Sequence, residues 1–351
     1  MNYSLIHKIN HYSKKKVTPI LLNDLIKYSQ NPDNNQKLLM AKFIYNELPI
    51  RLSQRIVDFN NLPYDFLKQN SMTKVYNLYN ESFKMLVDFK IPKNIDDVKD
   101  YSKLLTIIKN QHSNIIHDIA NSLFSYKKFH NIPYKDEFNV NQRLYEFYMS
   151  RLSIRFLLSQ YLESSNNKNN FIGIINKKCS PVGIVYDCIF NIEKMCYIIY
   201  KKYPSIIVND FLDKKKDIIY LDSHLAYIVT EILKNAVFAT MENNIKKPIN
   251  IDLMLNDDNL IIKISDSALG FKREKINELF NFTFTTANID KYCDKNVIIS
   301  GFGHGLGMSR IYARYFGGDI MIIPFEGVGT DVYIYIKQLG KNKENISDLQ
   351  T

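Results

Sequence analysis

Apolar residues recur every three or four positions between about Leu21 and Tyr161, which is the spacing of one buried face of an α-helix. The runs with this pattern are Asn46–Ile56, Lys74–Phe89, His112–Lys127 and Glu146–Tyr161. Long amphipathic helices joined by short connections favour an antiparallel arrangement. The sequence therefore predicts a bundle of about four helices in residues 1–163.

The pattern changes after a stretch without apolar residues, Glu163–Asn170, which is typical of a linker. Beyond it, helical periods at Ile184–Tyr200 and Ser223–Met241 alternate with strand-like runs. The predicted strands are Ile249–Leu255, Asn259–Ser265, Gly318–Pro324 and Thr330–Lys337. We therefore predict an α+β protein of two domains, with a linker at 164–170, an α/β domain at 171–340 and a polar tail at 341–351.

Composition narrows the class of protein. With 351 residues, 46% of them hydrophobic and 23% charged, the chain is globular, and no apolar run predicts a transmembrane segment. The net charge of +10 comes from scattered lysines, so no nucleic-acid partner is predicted. The four cysteines show no metal-binding spacing and are interpreted as reduced thiols. The first 23 residues lack acids, as mitochondrial presequences do.

Glu231 and Asn235 lie one helical turn apart in a predicted helix and therefore share a face. The simpler interpretation is a solvated polar surface. In the functional interpretation, the amide oxygen and the carboxylate hold a divalent cation, or the carboxylate accepts a hydroxyl proton.

Two further segments contain residue types that can bind a ligand. Asp266 ends a predicted strand, where it either forms a turn or accepts a hydrogen bond from an exocyclic amine. Gly301, Gly303, Gly305 and Gly307 lie within seven residues and precede an amphipathic run. Glycines before a helix N-terminus suit a phosphate, and a plain turn is the alternative.

The order of these segments is more specific than any one of them. A Glu…Asn helix, a strand ending in Asp266, the glycine run and Gly327-Val-Gly-Thr330 together resemble the motifs of the GHKL ATPases. That superfamily includes gyrase-type topoisomerases, mismatch-repair ATPases and sensor histidine kinases. The resemblance implies an α/β sandwich that binds ATP, with a lid at roughly 280–300.

A narrower resemblance extends over nearly the whole chain. Segments Asn46–Leu52, Glu146–Leu157, Phe284–Ala287 and Gly301–Asp319 are similar to the mitochondrial protein kinases of the α-ketoacid dehydrogenase complexes. The segments at 148–153 and 331–337 favour the pyruvate dehydrogenase kinase branch.

The resemblance implies a role for each matching residue. Glu231 would be the general base toward a substrate serine, with Lys234 near the phosphates and Asn235 on Mg²⁺. His112 would lie on a bundle helix and hydrogen-bond Glu231 across the domain interface, and Asp266 would bind the adenine amine. The other residues assigned to ATP are Gly270, Thr285, Thr286, Gly301, Phe302, Gly303, His304, Gly305, Leu306 and Thr330.

The resemblance also implies a function. The protein would be an ATP- and Mg²⁺-dependent serine kinase that inactivates the α subunit of the decarboxylating component, most simply of pyruvate dehydrogenase. It would be a homodimer in the mitochondrial matrix and bind a lipoyl domain of the acyltransferase core. The alternatives are a branched-chain α-ketoacid dehydrogenase kinase, a scaffold without catalysis, or a sensor histidine kinase that uses His117. A topoisomerase-like or chaperone-like ATPase is a further alternative.

Several positions depart from the family pattern. Its Asp-x-Gly-Gly-Gly is here Asp266-Ser-Ala-Leu-Gly270, and Leu269 would be strained if its position required a positive φ. Gly307 replaces a proline, which would loosen the glycine loop, and Phe238 replaces an arginine. The chain has no tryptophan, so the Asp-Trp element near the family's C-terminus is missing.

Overall fold

The computed structural model describes residues 3–30, 32–129, 134–164, 169–212, 217–256, 259–282, 284, 303–339 and 344–345. They form two compact units, the helical unit up to Ile174 and the α/β unit made of Ile175–Phe284 and His304–Asn345. The predicted fold class, a helical amino-terminal part followed by an α/β part, is confirmed. The predicted linker remains a prediction, and its residues 165–168 lie outside the described ones.

The described part of the helical unit contains eight helices and one short strand. They are α1 (Tyr3–Ser13), α2 (Leu22–Ser29), α3 (Asn34–Phe59), α4 (Tyr64–Leu67), α5 (Asn70–Asp88), α6 (Ile95–Gln111), α7 (Ile115–Phe129), α8 (Tyr134–Glu163) and β1 (Phe171–Ile172). The four predicted helical runs lie in α3, α5, α7 and α8. Helix α6, which packs against α3 and α8, was not predicted.

Local signals explain where these helices begin. The Asp33 side chain accepts a hydrogen bond from the Gln36 backbone, and the Gln36 side chain accepts one from Asp33 N, which together form a capping box. Asn94 caps α6 by accepting bonds from the two following acidic residues. Helix α7 begins at Ile115, three residues after the predicted start, because His112 ends α6 instead.

The α/β unit contains the remaining elements. They are β2 (Ile175–Cys179), α9 (Pro181–Tyr200), β3 (Ile206–Asp210), β4 (Ile218–Tyr220), α10 (Asp222–Glu242), β5 (Ile249–Leu255), β6 (Asn259–Asp266), a 3₁₀ turn (Arg273–Lys275), α11 (Ile276–Leu279), α12 (His304–Tyr315), β7 (Asp319–Phe325) and β8 (Gly329–Lys337). The four predicted strands are confirmed. Strands β2, β3 and β4 were missed because each has five residues or fewer.

Five strands form one sheet in the order β3-β5-β6-β8-β7. Strand β3 runs parallel to β5, and the other neighbours are antiparallel. Alternate residues such as Ile251, Ile262 and Ile334 are buried, while the residues between them are more exposed. Helix α10 packs on β6, and α12 packs on β7 and β8. The core of this unit therefore lies between one sheet face and these helices.

Among the residues that the structure describes, no helix is both long enough and apolar enough to cross a membrane.

Candidate active site

Helix α10 carries the polar pair predicted from the sequence. One side of the helix is buried, with Ile228, Ile232 and Leu233 in the core. Glu231 is largely covered, whereas Asn235 is exposed one turn later. The helical period therefore places a carboxylate and an amide on the same side of a rigid element.

Glu231 is held by an ion pair within its own helix. The Lys234 Nζ atom lies 2.7 Å from both carboxylate oxygens, and the two side chains are 11% (Lys234) and 16% (Glu231) exposed. A charge-assisted pair of this geometry restricts the carboxylate to a narrow range of positions. The three-residue spacing is one that brings side chains together on a helix, so this pair could have been predicted from the sequence.

Helix α12 begins at His304, so Gly305, Leu306 and Gly307 belong to the helix rather than to a loop. The prediction of a glycine loop that extends to Gly307 is wrong for this reason. Gly303 has a φ of +82° and immediately precedes the helix, in agreement with a tight turn at this point. The predicted ATP residues Gly301 and Phe302 lie outside the described residues.

Gly307 lies in a closely packed part of the structure. It is buried in α12, where an added Cβ would come within 2.7 Å of the Phe282 ring and 2.8 Å of the Phe280 carbonyl. The absence of a side chain thus permits close packing, and the loosening expected relative to a proline remains a prediction.

The N-terminus of α12 lies next to the Glu231 carboxylate. A Cβ added at Gly305 would overlap the Oε2 atom of Glu231. The first N–H groups of any α-helix lack intrahelical acceptors and carry a partial positive charge. A base candidate, an ammonium group and donors suited to an anion therefore occupy one region of the α/β unit.

Asp266 and Thr330 face each other in the ladder between β6 and β8. The Asp266 Oδ1 atom accepts a hydrogen bond from Ala268 N at 2.9 Å. Burial raises the pKa of the Asp266 carboxyl, and hydrogen bonds from the Ala268 and Thr330 backbones oppose that shift. A carboxylate has about four acceptor positions, so these two donors leave capacity for a ligand amine.

The turn after Asp266 is not strained at Leu269. Among the described residues, positive φ angles outside glycine occur only at Asn170, Lys201 and Asn244. Gly270 carries the left-handed conformation instead, with a φ of +59°, and a Cβ there would clash with the Phe325 and Gly329 carbonyls. Leu269 is 56% exposed. The hypothesis of backbone strain at Leu269 is therefore wrong.

His112 belongs to the helical unit and ends α6, so its expected place on the following bundle helix is wrong. Its ring is buried against Tyr79, with Nε2 2.8 Å from the Ser82 hydroxyl. Burial, reinforced by the positive charge of Arg151, lowers the pKa of His112 to about 3. The side chain is therefore neutral at physiological pH. Its hydrogen bond to Glu231 remains a prediction.

The structure thus brings Glu231, Lys234 and Gly305 together, and separately Asp266 and Thr330. Thr285 and Thr286 lie outside the described residues, as do residues 285–300 of the predicted lid. The Ser82 partner of His112 was missed, because thirty residues separate the two and no local pattern connects them. Among the described residues, no three His, Cys, Asp or Glu side chains form a group that could hold a metal ion.

Two family models match the chain. Residues 19–184 match the model described as mitochondrial branched-chain alpha-ketoacid dehydrogenase kinase. Residues 221–339 match that of the histidine kinase-, DNA gyrase B-, and HSP90-like ATPases, so the α/β unit is an ATP-binding domain of that superfamily.

Relatives match over nearly the full length. The mitochondrial pyruvate dehydrogenase (acetyl-transferring) kinase of Arabidopsis thaliana is 31% identical over 97% of this chain and 96% of its own. Isozyme 1 of Rattus norvegicus is 32% identical over 95% of this chain and 80% of its own. Isozyme 4 of Homo sapiens is 30% identical over 97% of this chain and 86% of its own. The chain belongs to the family of mitochondrial α-ketoacid dehydrogenase kinases, within the GHKL superfamily.

Proposed function

We propose that this chain is a protein serine kinase that uses ATP to phosphorylate, and so inactivate, the α subunit of the decarboxylating component of pyruvate dehydrogenase. The observation that carries the proposal is the arrangement of Glu231 between Lys234 and the N-terminus of α12. Full-length similarity to pyruvate dehydrogenase kinases supports the choice of substrate.

The proposed reaction is a direct phosphoryl transfer. The oxygen of the substrate serine attacks the γ-phosphorus of ATP, the bond to the β-phosphate oxygen breaks, and ADP leaves. Glu231 accepts the hydroxyl proton as the bond between the serine oxygen and the γ-phosphorus forms. The Lys234 ammonium and the N–H groups of α12 stabilise the negative charge on the phosphates.

Mg²⁺ would neutralise phosphate charge when it is bound with the nucleotide. This ion is usually held by one or two protein oxygens together with phosphates and water. The exposed Asn235 amide, one turn from Glu231, supplies one such oxygen. The residues present therefore fit a nucleotide-bound Mg²⁺.

At the other end of the nucleotide, Asp266 would accept a hydrogen bond from the adenine amine, and Thr330 would line the pocket beside it. Gly270 keeps the turn close to the β7–β8 hairpin. The remaining nucleotide contacts are assigned to Thr285, Thr286, Gly301, Phe302, Gly303, His304, Gly305 and Leu306.

From the family resemblance we further propose that His112 orients Glu231, that the kinase is a homodimer, that it is located in the mitochondrial matrix, and that a lipoyl domain of the acyltransferase core recruits it. The relatives are named as mitochondrial, which supports the compartment.

A branched-chain α-ketoacid dehydrogenase kinase is the second candidate, because the amino-terminal match is to a family model of that description. A scaffold without catalysis is less well supported. The argument for it was the altered turn Asp266-Ser-Ala-Leu-Gly270, and Leu269 in that turn has an ordinary backbone conformation.

The test is transfer of radiolabelled phosphate from Mg-ATP to purified pyruvate and branched-chain dehydrogenase components, run beside the Asn235→Ala variant. Asn191→Ala is its control, because Asn191 is also an exposed asparagine on a helix. We expect acid-stable label on the pyruvate dehydrogenase α subunit. Label on the branched-chain component alone would favour the second candidate. ATP binding without label on either would overturn the kinase assignment.

A further inference from the structure

We infer that Gly305 is a positioning residue for Glu231, because its missing side chain provides the space that the carboxylate occupies. The inference rests on the proposed function for the role of Glu231 as general base. It gives Gly305 a task different from the phosphate contact assigned to the glycine run.

Backbone freedom does not explain a glycine at this position. Gly305 lies in the first turn of α12 and is not among the described glycines with positive φ. The Ser309 hydroxyl donates a 2.8 Å hydrogen bond to the Gly305 carbonyl, a contact that serine side chains make with the carbonyl four residues earlier in a helix. Alanine would adopt this backbone readily and is the better helix former.

The space beside Gly305 is filled by the Glu231 side chain. The three heavy atoms nearest to an added Cβ are Oε2, Cδ and Cγ of Glu231, with Cδ at 3.0 Å and Cγ at 3.5 Å. A methyl group at position 305 would therefore displace the end of this side chain and leave the helix backbone in place.

Lys234 limits where the carboxylate can go. Its ammonium group lies 2.7 Å from each oxygen, so the carboxylate lies between this cation and the Gly305 Cα. Rotation away from a methyl group at 305 would lengthen at least one of these bonds. A displacement of about 1 Å in a reacting group costs roughly a hundredfold in rate.

The Gly305→Ala variant separates the two roles of the glycine. We expect phosphoryl transfer at saturating ATP to fall roughly a hundredfold. The Kd for Mg-ATP should change by less than about threefold, because alanine retains the backbone N–H groups that bind anions. A raised Kd with transfer at saturating ATP unchanged would overturn the inference.

A thermal-unfolding cycle tests the contact without any kinase assay. Gly305→Ala is measured in the wild-type background and in Glu231→Ala, where the carboxylate is absent. We expect the change in Tm to be more favourable in Glu231→Ala by about 2 °C or more. Equal changes in the two backgrounds would overturn the inference.

Gly307→Ala is the matched control, since Gly307 lies in the same helix but faces the Phe282 ring and the Phe280 carbonyl. Its change in Tm should be the same in both backgrounds, and the inference fails if it couples to Glu231 as strongly as Gly305→Ala does. If the wild-type protein transfers no phosphate, the proposed function fails, and the cycle still decides whether Gly305 makes room for Glu231.

Discussion

Arg51 in the helical unit and Lys234 in the α/β unit each pair with a glutamate on their own helix, but their surroundings differ. Arg51 and Glu47 are 2% and 4% exposed. Arg51 also donates to the Thr18 carbonyl and to Ser153, and Glu47 accepts from Thr18 N. Lys234 and Glu231 are more accessible and lie next to a helix N-terminus. A pair enclosed by protein partners ties segments together, whereas a pair beside an anion-binding terminus is available for chemistry.

The largest expected effect concerns Asn235, the exposed residue one turn from Glu231. Asn235→Ala should reduce phosphoryl transfer about a thousandfold, because it removes the oxygen proposed for Mg²⁺. Transfer and Mg-ATP affinity would be measured together, with Asn191→Ala on α9 as the control. Full activity in Asn235→Ala would mean that the polar face of α10 is only a solvated surface.

The enclosed pair should matter to folding. Arg51→Met leaves the Glu47 charge buried without its partner and should lower the free energy of unfolding by about 3 to 4 kcal/mol. Lys234→Met leaves a Glu231 carboxylate that water still reaches and should cost less, about 1 to 2 kcal/mol. Urea denaturation measures both. Similar losses would remove the distinction drawn between the two pairs.

In their response to pH the two units are alike, because burial lowers the pKa of His112 in one and of His224 in the other to about 3. His224 on α10 lies against the rings of Tyr312 and Phe316, and burial lowers its pKa to about 3. The unfolded chain takes up a proton below about pH 6.5 while the folded state does not, so stability falls as pH decreases from there toward 3. His224→Phe should remove about 1.4 kcal/mol of the stability difference between pH 7.5 and 5.5.

Urea denaturation of the wild type and the variant at those two pH values checks this prediction. The same acid sensitivity in both proteins would contradict a neutral, buried His224.

The smallest effect is expected at Leu269. Because this residue has an ordinary φ and an exposed side chain, Leu269→Gly relieves no strain and only adds freedom to the unfolded chain. Stability should fall by about 0.5 kcal/mol, with the ATP Kd unchanged within about threefold. Higher stability or tighter ATP binding in Leu269→Gly would restore the strain hypothesis.

The two units also differed in how far the sequence predicted them. In the α/β unit, the strand that ends at Asp266 and the helix that carries Glu231 and Asn235 followed from short-range periodicity. The start of α12 did not, because four closely spaced glycines suit a loop as well as a packed helix turn. The nearness of Glu231, which we infer to be the reason for a glycine at position 305, is visible in the structure alone.

In the helical unit, the long amphipathic helices were predictable but their polar contacts were not. Arg51 and Ser153 are 102 positions apart, and Ser82 and His112 are 30 apart. Periodicity indicates which face of a helix is buried, but not which polar residue of another helix lies opposite. The position of His112 at the end of α6 was missed for another reason, because α6 itself was not predicted.

The central claim is that Glu231 acts as a base in an ATP site, and Glu231→Gln tests it most directly. Mg-ATP affinity and single-turnover phosphate transfer to the pyruvate dehydrogenase α subunit would be measured on the same preparation. We predict an unchanged Kd within about threefold and transfer slower by 10² to 10⁴, the usual contribution of a general base. Transfer at the wild-type rate, or a loss explained entirely by weaker ATP binding, would contradict the account.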